Sequence, residues 1–129
     1  MKLESQVCSL ELAKQLKELG VKQESAFYRD EFGHLHDIPY LEKYSGHHYT
    51  SAFTVAELGE MLPDQWNSFE LVIERFENEW DIRYVERMAD GDETRGERFC
   101  DTNEANCRAS MLIHLLTQGI LKLEDVNGN

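Results

Sequence analysis

Two stretches of strict alternation constrain this chain more than any other feature. Phe69, Leu71 and Ile73 alternate with Glu70, Val72 and Glu74, and Trp80, Ile82 and Tyr84 alternate with Asp81, Arg83 and Val85. Successive side chains of a strand point to opposite faces, so a period of two predicts strands. Glu77, Asn78 and Glu79 separate the stretches, and Asn tolerates the positive φ that a tight turn often demands. The predicted unit is an antiparallel hairpin with one apolar, aromatic face and one face of Glu and Arg left to water. The apolar face needs a cover.

Two amphipathic helices supply it. Leu12, Leu16 and Leu19 recur at i, i+4 and i+7 with Ala13 beside them, while Lys14, Lys17 and Glu18 fall on the wet side. Ser9 is the expected N-cap, and Gly20 followed by Val21 suits a left-handed stop. Near the C-terminus Ala105, Ala109, Leu112, Leu115 and Leu116 form a second stripe, with Asp101 or Thr102 as the expected cap and Gly119 as the stop. Thr54 and Glu57 form a capping box for a short helix carrying Val55, Leu58, Met61 and Leu62, ended by Pro63. Residues 25–29 and 49–53 read as a second pair of strands, joined by a long polar connection with Gly33, Pro39 and Gly46 as breakers. Residues 88–99 are charged and Gly-rich and read as a loop, and the tail from Glu124 reads as frayed. The expectation is one α+β domain over 1–129: a small antiparallel sheet of two hairpins with the N- and C-terminal helices packed on one face.

Composition narrows the function. The 129 residues suit a single domain, and 41% hydrophobic content argues against disorder. Twenty-five acidic against thirteen basic residues give a net charge of −12. Lys14, Lys17 and Lys22 are interleaved with Glu11, Glu18 and Glu24, so no basic face is available for phosphates and direct nucleic-acid binding is disfavoured. The acidity reads first as solubility, and second as a face that competes for a basic protein groove. Three cysteines cannot all pair within one chain, and Cys8, Cys100 and Cys107 form no CxxC element. With no signal-like segment and no long apolar run, a cytoplasmic protein off the membrane is expected.

Chemistry-bearing clusters are few. His34, His36, His47 and His48 concentrate near Asp37 and offer ligand types for a transition metal, but no metal-specific spacing frames them; an exposed polar loop is the blander reading. Cys107, Met111 and His114 share a helical stripe that offers a thiol, a thioether and an imidazole of the kinds that suit copper, although its plainest role is to flank the core. The dipole near that helix's start favours a thiolate at Cys107, yet no partner in a defined motif makes it a nucleophile. Trp66 and Trp80 read as core or rim aromatics, with a binding anchor as the alternative. Phe27, Tyr28 and Trp80 with Arg83 are the candidate binding residues for a small ligand or nucleotide signal. No catalytic residue and no cofactor are implied, since no Gly-rich phosphate loop or nucleophile elbow occurs.

Three blocks carry a resemblance. Residues 7–25 (VCSLELAKQLKELGVKQES), 52–63 (AFTVAELGEMLP) and 101–121 (DTNEANCRASMLIHLLTQGIL) resemble, in order, a group of short uncharacterised proteins encoded by bacteriophages, prophages and their bacterial hosts. They span about two fifths of the chain. Asn103, Asn106 and Cys107 depart from the Ala-like or acidic residues expected there, and residues 29–49 match nothing. The group brings no assigned reaction or site residue. The resemblance implies a mobile-element or host-accessory context. The resulting expectation is a non-enzymatic accessory protein that binds a host or phage protein. A small-ligand or nucleotide-signal binder is the alternative, and a small metal-dependent enzyme built on the histidines is third.

Overall fold

The computed structural model describes residues 2–37, 48–87, 89, 91 and 93–128. They form the expected α+β architecture, with the two hairpins divided over two antiparallel sheets. The larger sheet runs in the order β4 (Gln65–Trp66), β5 (Phe69–Phe76), β6 (Glu79–Arg87), β7 (Glu93–Asp101). β5 and β6 are the hairpin that the alternation predicts, with Ile73 opposite Ile82 and Leu71 opposite Tyr84. The turn differs in detail: the positive φ falls on Glu77 (52°) and not on Asn78. Phe76 pairs with Glu79, which leaves two residues to reverse the chain. Strand twist then demands a positive φ at the first of them.

β7 replaces most of the expected loop at 88–99. Of its described side chains Phe99 alone packs against the core, because an edge strand with charged flanks loses the alternation that marks an inner one. A bulge blurs the pattern further, since Gly96 and Glu97 both lie between the pairs Val85–Arg95 and Arg83–Arg98 and so face the single Tyr84.

The smaller sheet places β1 (Phe27–Arg29) between β2 (Leu35–Asp37) and β3 (Thr50–Ser51). The expected pairing holds over shorter spans, with Tyr28 opposite Ser51. β2 adds a strand that the polar sequence concealed, with His36 opposite Tyr28. Residues 38–47 of the expected long connection lie outside the described residues.

The helices are α1 (Leu10–Glu18), α2 (Val55–Met61), α3 (Glu104–Thr117) and α4 (Leu123–Asn127). Ser9 caps α1, its Oγ accepting from the Leu12 amide at 3.3 Å. At the far end Val21 N donates to Leu16 O and Gly20 N to Lys17 O, with Gly20 at φ 97°. The capping box of α2 is complete: Thr54 Oγ1 accepts from Glu57 N, and Glu57 Oε1 accepts from Thr54 N. α3 starts later than expected. β7 runs through Asp101, so Asn103 becomes the cap and accepts from Asn106 N at 3.3 Å, while Asp101 accepts from Asn103 N. The tail is a docked helix and not a frayed end. Leu123 and Val126 pack on the core, and Asn127 accepts from Lys22 N and donates to Gly20 O.

α3 covers β6 and β7 on one face of the larger sheet, and α1 packs on α3 and β3. Leu16, Ile82 and Leu112 are fully buried, and Leu12 and Leu116 pack partly buried at the margin. A fully buried aliphatic side chain contributes about 1.5–3 kcal/mol; the α3 stripe seals the larger sheet, and the α1 stripe is buried against α3 and β3. Among the described residues no helix is long and apolar enough to cross a membrane.

The opposite face of the larger sheet is not the wet face that alternation predicts. Asp81, Arg83 and Val85 are 3%, 7% and 4% exposed. Asp81 accepts from Arg83 Nη1 and Arg98 Nε, both at 2.6 Å, and from the Cys100 thiol at 3.4 Å; Arg83 Nη2 reaches Glu74 at 3.0 Å. Burial opposes ionisation of Asp81, yet the Arg98 hydrogen bond and the charges of both arginines hold its carboxyl below the usual range. Long charged side chains roof the centre of this face in place of a helix.

Candidate functional site

The four residues singled out for ligand binding do not converge. Trp80 and Arg83 are three apart on β6 and so lie on opposite faces, while Phe27 and Tyr28 belong to β1 in the other sheet. Arg83 is paired with Asp81 and Glu74. Tyr28 Oη donates to Gln23 O and accepts from Ser25 N, fixing the turn ahead of β1. Trp80 lies under the Arg75 guanidinium, 5.5 Å from the ring centroid, at the edge of a hollow shared with Ser5, Gln6 and Thr102. Trp66 stacks on Phe69 at 4.7 Å between ring centroids, a rim aromatic of the core.

The histidines meet a carboxylate that the sequence reading passed over. His36 Nε2 lies 2.8 Å and His34 Nδ1 3.6 Å from Asp30 Oδ2, and Asp30 Oδ1 accepts from the Phe32 and His34 amides. Burial pushes the Asp30 carboxyl up, but the His36 hydrogen bond, the two amides and the neighbouring His34 charge bring it down to about 2. The signal was present in the Asp-x-x-Gly spacing of a turn, since Asp side chains bond their own backbone a few residues on. Asp37 and His48 are exposed, and His47 lies outside the described residues. Among the described residues no group of three or more His, Cys, Asp or Glu is placed to hold a metal ion. The Asp30 cluster instead fastens the β1–β2 turn.

The stripe on α3 divides. Cys107 and Met111 are core residues at 1% exposure. Burial, with the Asp101 charge adding to it, pushes the Cys107 thiol up to about 12, against the dipole expectation, and its Sγ donates to Trp80 O at 3.2 Å. That thiol is inert. His114 is half-buried at the surface, its ring 5.7 Å from Phe99.

Two hollows meet at His114. The first, about 290 Å³, is lined by Leu12 and Gln15 of α1, by Ser110, Ile113, His114, Thr117 and Gln118 of α3 or its C-terminus, and by Phe99 of β7. The second, about 130 Å³, is mostly apolar and includes Trp66, Phe69, Glu97 and Ile120. The two adjoin as one groove along α3, the first opening beside Phe99 of β7 and the second lying across the sheet from Trp66 and Phe69 to Glu97. Among the described residues no Lys or Arg lines either hollow. The polar groups of the first are neutral amides, hydroxyls and one imidazole, so the groove suits apolar and hydrogen-bonding contacts and offers nothing to a phosphate. The sequence placed Leu12 in the core-facing stripe of α1 and His114 in a stripe flanking the core, and gave no sign of Phe99, because β7 was hidden by its charges.

No family model, curated protein or solved structure matches this chain. The groove is therefore interpreted from its own residues.

Proposed function

We propose that this is a non-enzymatic accessory protein, of the kind that phages and prophages carry, which acts by binding a host or phage protein. The observation that carries the reading is the open groove beside β7, where Leu12, Phe99 and Ile113 present apolar surface between two helices and a sheet edge. Surfaces of this type mark interaction sites when they are contiguous and rimmed by polar residues. Two further apolar side chains, Phe32 at 77% exposure in the β1–β2 turn and Phe76 at 55% at the end of β5, are open to solvent outside the groove. The phage context rests on the three-block resemblance, and a gene standing among phage genes is its expected setting.

The test is affinity capture from bacterial host lysate with the wild-type chain and a Ser110→Trp variant, which fills the first hollow. A stoichiometric partner retained by the wild type and lost by the variant supports the reading. Absence of any stoichiometric partner overturns it. The alternative, a small-ligand binder, draws on the volume of the first hollow, which lies near the lower end of ligand pockets. It predicts stabilisation in a thermal-shift screen by neutral heteroaromatics such as free nucleobases, and not by their phosphates.

A further inference from the structure

Helices in a two-layer domain are ordinarily roofed by sheet. Here the helical layer is wider than the larger sheet. α3 lies under β6 and β7, but the main packing partners of α1 are α3 and β3. The space that a strand following β7 would occupy is the 290 Å³ hollow, with Leu12 and Ile113 on the helices and Phe99 at the sheet's margin. β7 is the last strand of its sheet, and no described group outside β6 hydrogen-bonds to the backbone of 96–100. An edge of this kind presents every second N–H and C=O to an incoming chain.

We propose that an extended segment of a partner protein adds to the larger sheet as a fifth strand beside residues 98–100, inserting an apolar side chain into the hollow next to Phe99. The inference deepens the protein-binding reading and rests on it. The backbone of the edge selects an extended occupant, because only a strand satisfies its outward amides and carbonyls while covering the gap over α1. The bulge at Gly96 and Glu97 ends the regular ladder, so the pairing is short and its affinity depends on the side chain in the hollow. Charge sets the rest of the partner's chemistry. Arg98 is already held by Asp81, whereas Glu97 is exposed beside the second hollow and the chain carries −12 overall. Glu97 faces Tyr84 and so lies on the hollow's side of the sheet, and the fitting segment therefore carries an aliphatic residue for the hollow and a Lys or Arg two residues away on the same face.

The probe is an acetylated, amidated eight-residue peptide with Val and Lys two residues apart on one face and Thr on the other, read by amide hydrogen exchange and 15N correlation spectra of the full chain. The expected result is exchange slowed about tenfold or more across 96–100, with shifts at Ser110 and His114. The effect should vanish with a peptide N-methylated along one edge and with a Ser110→Trp chain whose melting temperature is unchanged. Unaltered exchange at 96–100 in millimolar peptide overturns strand addition. So does protection of 96–100 in a dimer without peptide, which would assign the edge to a second copy. A lysate partner that binds while leaving 96–100 unprotected sinks this inference alone; absence of any such partner sinks the protein-binding reading as well.

Discussion

The two faces of β6 are equally buried and chemically opposite. On one, Ile82 and Tyr84 are sealed by α3. On the other, Asp81 and Arg83 are sealed by Glu74, Arg98 and each other. The first face is held by transfer of apolar surface from water, which tolerates small errors of geometry. The second is held by charge-assisted hydrogen bonds, which compensate desolvation only when each partner is present. Burial by itself therefore says little about what a substitution will cost. The chemistry of the cover decides it.

The largest test of that contrast is Asp81→Ala, which leaves the buried Arg83 guanidinium only its Glu74 partner and removes the acceptor of Arg98. A loss of about 3–5 kcal/mol in urea unfolding is expected; a loss below about 1 kcal/mol would show that the charged roof is already solvated. Ile82→Ala on the sealed apolar face should cost about 2–5 kcal/mol through lost transfer and a cavity, and a double-mutant cycle with Asp81→Ala measures how far the shared backbone couples the two faces. Acid separates the faces as well. Asp81 and Asp30 both have carboxyls depressed in the folded state, Asp30 to about 2. Each contributes stability above the unfolded carboxylate range near 3.9 that is lost as pH falls through the folded value. Unfolding free energy should thus decline as pH drops from about 4 toward 2, and Asp81→Asn should flatten that decline while Ile82→Ala leaves its slope alone. Asn103→Ala, which removes the cap of the helix that covers the apolar face, should cost about 1 kcal/mol. Phe32→Ser, at an exposed turn, should stay within about 0.5 kcal/mol, so a larger loss would show that the turn is packed in solution.

Legibility in the sequence followed the same physics. β5, β6, α1 and the body of α3 were readable because burying one face of a regular element imposes a period of two or of 3.6 on the chain. The caps at Ser9 and Thr54 were readable because an orphan amide and its acceptor are three residues apart. β7 was not readable. One of its flanks is open, its described side chains are mostly charged, and its bulge shifts the alternation. The cap at Asn103 was displaced for the same reason, since a strand that continues through Asp101 leaves Asp101 unavailable as the cap.

The candidate site shows the limit most clearly. Leu12, Phe99 and Ile113 lie far apart in the chain, and no local pattern joins them; they meet only because α1 overhangs the sheet edge. The pairing of His34 and His36 with Asp30 in place of Asp37 likewise depends on how the β1–β2 turn closes. By itself the sequence determined which segments must hide an apolar face and where the helices can begin and end, because those demands are local and periodic. Tertiary structure alone decided that the charged face of β6 is buried and that the helical layer extends past β7. Both depend on which long-range neighbours arrive, and side chains adjacent in space leave no fixed interval in sequence.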